Sequence, residues 1–233
     1  MSPAALADWE IRFRAFLDAG DTAPDAAHDL GHLRRVLSAA RALGAAEGGD
    51  LSVIVPAAWL HDCVHLPKDS PDAKSASTLA ARRATEWLSA QGFPSDFIPC
   101  IGHAIEAHSF RARIEPQTIE ACVVQDADRL DALGAIGIAR CFTVGGALAR
   151  TLYEATDPFC ASRDADDGRY TLDHFYAKLL KLPSSFRTTA GRKEAERRVG
   201  FMRTYLTQLE SEIVRSEGAC GGARPGSLVA GNL

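Results

Sequence analysis

The seven histidines of this chain are where chemistry would be sought first, because most of them stand near a carboxylate or another histidine. His28 and His32 are four residues apart, so on a helix they share a face. His61 and Asp62, in WLHDCV (Trp59 to Val64), end a long apolar run, where burying a charge or an unpartnered imidazole is costly. His65 lies just beyond, and His103 and His108 flank a further helix end. DADRLD gathers Asp126, Asp128 and Asp131; on a helix the last two are neighbours, while Asp126 points elsewhere. Imidazoles and carboxylates brought together suit a borderline or hard divalent ion such as Mn²⁺, Fe²⁺, Ni²⁺ or Zn²⁺. The six cysteines are scattered with no CxxC pair, which excludes an all-thiolate structural zinc site.

Each piece taken alone has a plainer reading. His32 can be a solvated helix residue, and His61–Asp62 a hydrogen-bonded core pair. DADRLD can be an acidic helix start at the positive end of the helix dipole. The conjunction shifts the balance, since separate helices would bring these well-separated stretches to one point.

The elements available to do so are helical. Ile11, Phe13, Phe16 and Leu17 fit one helical face ending near Gly20. From about His28 to Glu47, apolar residues repeat at Leu30, Leu33, Val36, Leu37, Ala40 and Leu43, and the pattern stops at Gly48-Gly49. Leu51 to Val64 is apolar on all sides, which predicts a buried helix kinked by Pro56 or holding it in the first turn, although Val53-Ile54-Val55 alone resembles a strand. Lys68 to Asp72 reads as a loop. Further helices are predicted over Ser75–Ala90, Ser95–Ala107, Pro116–Ala132, Gly137–Arg150, Leu172–Leu182 and Thr189–Glu212, with Pro94 and Pro116 at helix starts. Period-two alternation is scarce, so the expected class is all-α. Residues 1–216 read as one domain and 217–233, EGACGGARPGSLVAGNL, as a flexible Gly-rich tail.

Bulk properties narrow the partners. At 233 residues the chain can bury one good core. A formal net charge of -4 gives no global electrostatic argument for nucleic acid or an anionic membrane, and neither is expected as a partner. No stretch reaches the roughly 18 uninterrupted apolar residues of a membrane span. The N-terminus does not look like a signal peptide, so the cysteines read as reduced thiols and the expected location is cytoplasmic.

Three motifs in order carry a resemblance. HxxRV at His32–Val36, AAWLHD at Ala57–Asp62 and DADRLDALGAIGIAR at Asp126–Arg140 resemble the HD-domain metal-dependent phosphohydrolase superfamily, closest to its small single-domain bacterial branch. The resemblance spans about residues 20 to 215, including AIEAHSF and HFYAKLLKLP. It implies a compact multi-helix bundle with the metal site between core helices. His32, His61, Asp62 and Asp128 would be the metal ligands, Asp128 being chosen over Asp126 because the family's final aspartate precedes a basic residue, here Arg129. His28, Asp29 and Asp131 would orient ligands, as metal-bound imidazoles need such partners. Catalytic roles fall on Asp62, His65, Lys68 and His108, with His103 structural, and phosphate contacts on Lys68, Lys74, Arg129 and Lys178. Branches acting as nucleotidases carry a glutamate shortly after HD, whereas HDCVHLPKD has His65, Lys68 and Asp69 there, which leaves the general acid open.

The implied activity is hydrolysis of a nucleotide or related phosphate ester or anhydride, including a nucleoside triphosphate to its monophosphate and pyrophosphate. The implied ion is Mn²⁺ or Fe²⁺, with Mg²⁺, Ni²⁺, Co²⁺ and Zn²⁺ compatible, and the partner is a small phosphate substrate; an oligomer is left open. Two alternatives stand beside it: a di-iron HD-type oxygenase and a non-catalytic metal- or nucleotide-binding module.

Overall fold

A computed structural model describes residues 1–19, 30–64, 66 and 74–220, with side chains placed as far as Ile213. The described residues are all-α, and their only extended pairing is an isolated bridge between Thr151 and Tyr170. The helices are α1 (Pro3–Asp18), α2 (Leu30–Glu47), α3 (Leu51–Leu60), α4 (Ala76–Ala90), α5 (Ile98–Ala107), α6 (Ile119–Leu130), α7 (Gly134–Ala147), α8 (Asp173–Ala177) and α9 (Thr189–Cys220). No single described helix is long and apolar enough to cross a membrane.

The apolar run around Pro56 is helix α3, and it lies at the centre of the bundle. Asp50 caps it by accepting from the Ser52 amide at 2.7 Å. Pro56 sits inside the helix and removes one backbone hydrogen bond. Packing offsets that loss: α3 touches α1, α2, α4, α5 and α6, and Val53 to Ala58 are all buried. Helices answer the strand-like Val53-Ile54-Val55 because neighbours cover every face. The Trp59 indole donates to Glu10 at 3.0 Å and Arg41 pairs with the same carboxylate, so α1, α2 and α3 are tied at one point.

Several boundaries differ from expectation for local reasons. Ile11 is 72% exposed and Phe13 fully buried, so the buried face of α1 is rotated away from Ile11. Ser95–Phe97 forms a 3-10 turn before α5. Thr118 caps α6, accepting from the Ala121 amide at 3.2 Å, which leaves Pro116 ahead of the helix. Asp131 to Leu133 form a turn between α6 and α7, so α7 begins at Gly134. Gly134 has φ of +71°, a left-handed value that glycine adopts without strain. A Cβ at Gly137 would run into the carbonyl of Ala132, so this glycine lets α7 fold back tightly on the turn. The Leu172–Leu182 stretch divides into α8 and a 3-10 segment over Leu179–Ser185. At the far end α9 continues to Cys220, past the expected start of the tail.

Candidate metal centre

Three helix C-termini meet at one place. His61 is the C-cap of α3, His108 the C-cap of α5, and Asp131 the C-cap of α6, with Asp128 in the last turn of α6. Helix C-termini carry partial negative charge, so their convergence already favours a cation. His32, from the first turn of α2, completes the group.

The side chains converge accordingly. His32 Nε2 lies 3.5 Å from Asp128 Oδ1 and 3.8 Å from Asp62 Oδ2. His61 Nε2 lies 3.5 Å from Asp62 Oδ2 and 3.9 Å from Asp128 Oδ1. His108 Nε2 lies 3.5 Å from the other Asp62 oxygen, Oδ1. Two overlapping triads with ion-holding geometry result, His32–His61–Asp128 and His61–Asp62–His108. His32, His61 and His108 are buried, while Asp62 and Asp128 keep side-chain exposures of 23% and 30%, so the cluster opens to solvent on its carboxylate side.

The other ring nitrogens decide what each imidazole can do. His61 Nδ1 is 2.9 Å from the Ala58 carbonyl, and His108 Nδ1 is 2.6 Å from the Ile105 carbonyl. A carbonyl only accepts, so Nδ1 carries the proton in both rings. A neutral His61 then turns a lone pair at Nε2 toward the carboxylates, the arrangement of a metal-ligating histidine. His61 Nε2 is buried without a hydrogen-bond partner among the described residues, an orphan that a cation would satisfy. Burial lowers the pKa of His61 despite the Asp62 charge beside it, which keeps the ring neutral. Burial acts against His108 as well, but its contact with Asp62 outweighs this and raises its pKa.

Asp131 orients the third ring. Its Oδ2 accepts from His32 Nδ1 at 2.8 Å, and its carboxylate is clamped by Arg35 at 2.5 and 3.0 Å and by Arg140 at 2.7 Å. Burial works against the charge, yet the bonds from His32 and Arg35 hold the carboxyl far below the usual range. Asp126 faces away from the cluster. It is fully buried and accepts from the amides of Arg187 and Thr188 and the Thr188 hydroxyl, fixing the start of α9.

The remaining expected residues divide. Lys178 places its Nζ 5.6 Å from the Phe110 ring centre, and the charge of Asp128 acts on it. Arg129 lies against the same ring at 5.7 Å and donates to the Ser185 carbonyl at 2.5 Å. Lys74 is exposed in the turn before α4 and makes no hydrogen bond or ion pair among the described residues. His103 pairs with Glu106 and accepts from the Gln117 amide at 2.9 Å, a local loop anchor. His28, Asp29, His65 and Lys68 lie outside the described residues. Arg35, Arg140 and Phe110 lie within the quoted motifs but were given no role from the sequence. Arg35 stands three residues after His32, on the same helical face, and that spacing is the signal that would have found it.

The pattern described as the HD domain matches residues 29–133, a span that contains all four expected ligands. Over 208 residues the chain is 34% identical to the protein YpgQ of Bacillus subtilis, covering 87% of this chain and 92% of YpgQ. The chain belongs to the HD-domain family. The crystal structure of YpgQ in complex with ADP superposes with a TM-score of 0.67 at 33% identity, covering 87% of this chain and 97% of that one. An HD-superfamily hydrolase from Bacillus thuringiensis gives a TM-score of 0.66 at 35% identity, with coverages of 87% and 93%. Family membership agrees with the all-α bundle and with a His/Asp cluster between its core helices that can hold a divalent metal.

Proposed function

We propose that this HD-domain protein is a divalent-metal-dependent phosphohydrolase acting on a nucleotide or a related phosphate ester or anhydride, with a nucleoside triphosphate as a candidate substrate and pyrophosphate as its product. The observation that carries the reading is the convergence of His32, His61, Asp62 and Asp128 with the orphaned Nε2 of His61. The ADP bound in the YpgQ crystal structure supports a nucleotide ligand. In this reading the protein works in the cytoplasm with Mn²⁺ or Fe²⁺.

His32 Nε2, His61 Nε2 and the carboxylates of Asp62 and Asp128 would hold the ion. When bound, a divalent ion in such a site activates water and neutralises charge on a phosphoryl group. The chain supplies the rest. Asp131 keeps His32 in its ligand orientation, and α3 fixes His61 on a rigid, dry element. His108 stands beside Asp62 Oδ1, placed to hold or pass a proton there. Lys178 and Arg129 bring positive charge to the side of Asp128, where phosphoryl oxygens would gather.

Metal analysis of protein purified without chelator, followed by a phosphate-release screen in Mn²⁺, tests this reading. Asp62→Ala is expected to lose both metal and turnover; metal retained with unchanged turnover sinks it. The His61–Asp62–His108 triad favours one second reading, a two-metal centre of the oxygenase kind. Two irons per chain with O₂ consumption and no phosphate release would select it.

A further inference from the structure

Beside the His/Asp cluster lies a cavity of about 380 Å³ whose polar walls are Arg111, Arg140, Arg150, Lys178, His174 and Asp167. Arg140 is paired with Asp131 at 2.7 Å and Asp167 with His174 at 2.7 Å, so the positive charge that the cavity wall leaves to a ligand comes foremost from Arg150 and Lys178. Among the described residues neither Arg150 nor Lys178 forms an ion pair. Cations concentrated in a concave, partly dehydrated space repel one another and focus a positive potential, a cost that an anion relieves. Guanidinium groups suit phosphoryl oxygens in particular, since they offer paired donors.

The cavity is joined to the cluster at two points. Arg140 donates to Asp131, which holds His32. Lys178 lines the cavity and feels the charge of Asp128. Burial of its ammonium lowers the Lys178 pKa, and the positive charge of Arg111 adds to that.

We propose that this cavity is a subsite for a second phosphoryl anion, distinct from the group held at the cluster: a distal phosphate of the substrate or a released phosphate product. Choosing phosphate over other anions rests on the phosphohydrolase reading. Arg150, at the far wall beyond the end of α7, tests it most cleanly because its side chain makes no hydrogen bond or ion pair among the described residues.

Inorganic pyrophosphate titrated calorimetrically into the full chain with Mn²⁺ is the experiment. Arg150→Ala and Arg150→Gln should each weaken binding about tenfold, the loss of one charge-assisted contact. Arg82→Ala, an exposed residue of α4 paired with Glu86, should bind as wild type. Wild-type affinity in both folded Arg150 variants overturns the subsite. The source is read from hydrolysis: a drop in the kcat/KM ratio of adenosine triphosphate to p-nitrophenyl phosphate assigns a distal substrate phosphate. An unchanged ratio with weakened pyrophosphate binding assigns a free product. If nothing is hydrolysed yet pyrophosphate binding depends on Arg150, the phosphohydrolase reading fails and the subsite stands; turnover with Arg150-independent binding fails the subsite alone.

Discussion

His32 and Asp131 are joined at 2.8 Å through Nδ1 and Oδ2, and this bond fixes which nitrogen of His32 faces the other candidate ligands. Asp131 is held in turn by Arg35 and Arg140, so a carboxylate outside the proposed ligand set governs the direction of one candidate ligand. Asp131→Asn should lower metal affinity by about 10–100-fold while leaving the ligand set intact. Competition titration with a metal-sensitive dye reads the change, and wild-type affinity would refute the orienting role.

The two aspartates of DADRLD on either side of Ala127 should separate cleanly. Asp128→Asn removes a candidate ligand and should abolish stoichiometric metal. Asp126→Asn turns a donor toward the Arg187 and Thr188 amides and should cost about 2–3 kcal/mol of stability with metal still bound. Metal content beside urea unfolding distinguishes them; the opposite pattern would reassign the ligand.

A metal that binds only the folded chain must stabilise it. At about 100 times its Kd the gain is about 2.7 kcal/mol, or roughly 5–10 °C in Tm for a chain of this size. Mn²⁺ should raise the melting temperature of the wild type by that much and leave Asp62→Ala unmoved. Equal shifts in both proteins would place the binding elsewhere.

What was legible in the sequence was what depends on period and order. The apolar spacing of α2 and the unbroken run of α3 declared helices, and the three ordered motifs pointed to residues that do meet in space. The supports were harder to see. Arg35 and Arg140 look like solvated helix charges until the fold brings Asp131 between them, and the role of Asp126 depends on Thr188, a partner far along the chain. The break between α6 and α7 was legible but its position was not: the expected gap fell at residues 133–136, whereas the turn runs from Asp131 to Leu133 and α7 starts at Gly134, whose positive φ the apolar stretch DALGAIG does not display.

The pH response should carry a signature from Glu194. Hydrogen bonds from Arg197, then burial opposed by Arg198, leave its pKa lowered to about 2. A lowered carboxyl pKa contributes stability above its ordinary value near 4.5 that is lost as pH falls toward 2. Glu194 is partly exposed, so screening limits the contribution to about 0.5–1 kcal/mol. Glu194→Gln should therefore cost that much at pH 7 and about a quarter of it near pH 2.5, read by urea midpoints at both values. A constant cost would remove the charge from the explanation.

Gly137 marks where the shape of the site depends on a missing side chain. A Cβ there meets the Ala132 carbonyl, so Gly137→Ala must push α7 off the turn that begins at Asp131. Forcing one methyl into so close a contact costs about 1–3 kcal/mol, roughly 3–10 °C in Tm. Because Arg140 rides on α7 and clamps Asp131, the displacement should also weaken metal binding. Gly146→Ala, with open space around its position, is the control and should change neither quantity. If Gly137→Ala lost stability while keeping full metal affinity, the path from the α6–α7 turn through Arg140 and Asp131 to His32 would be broken.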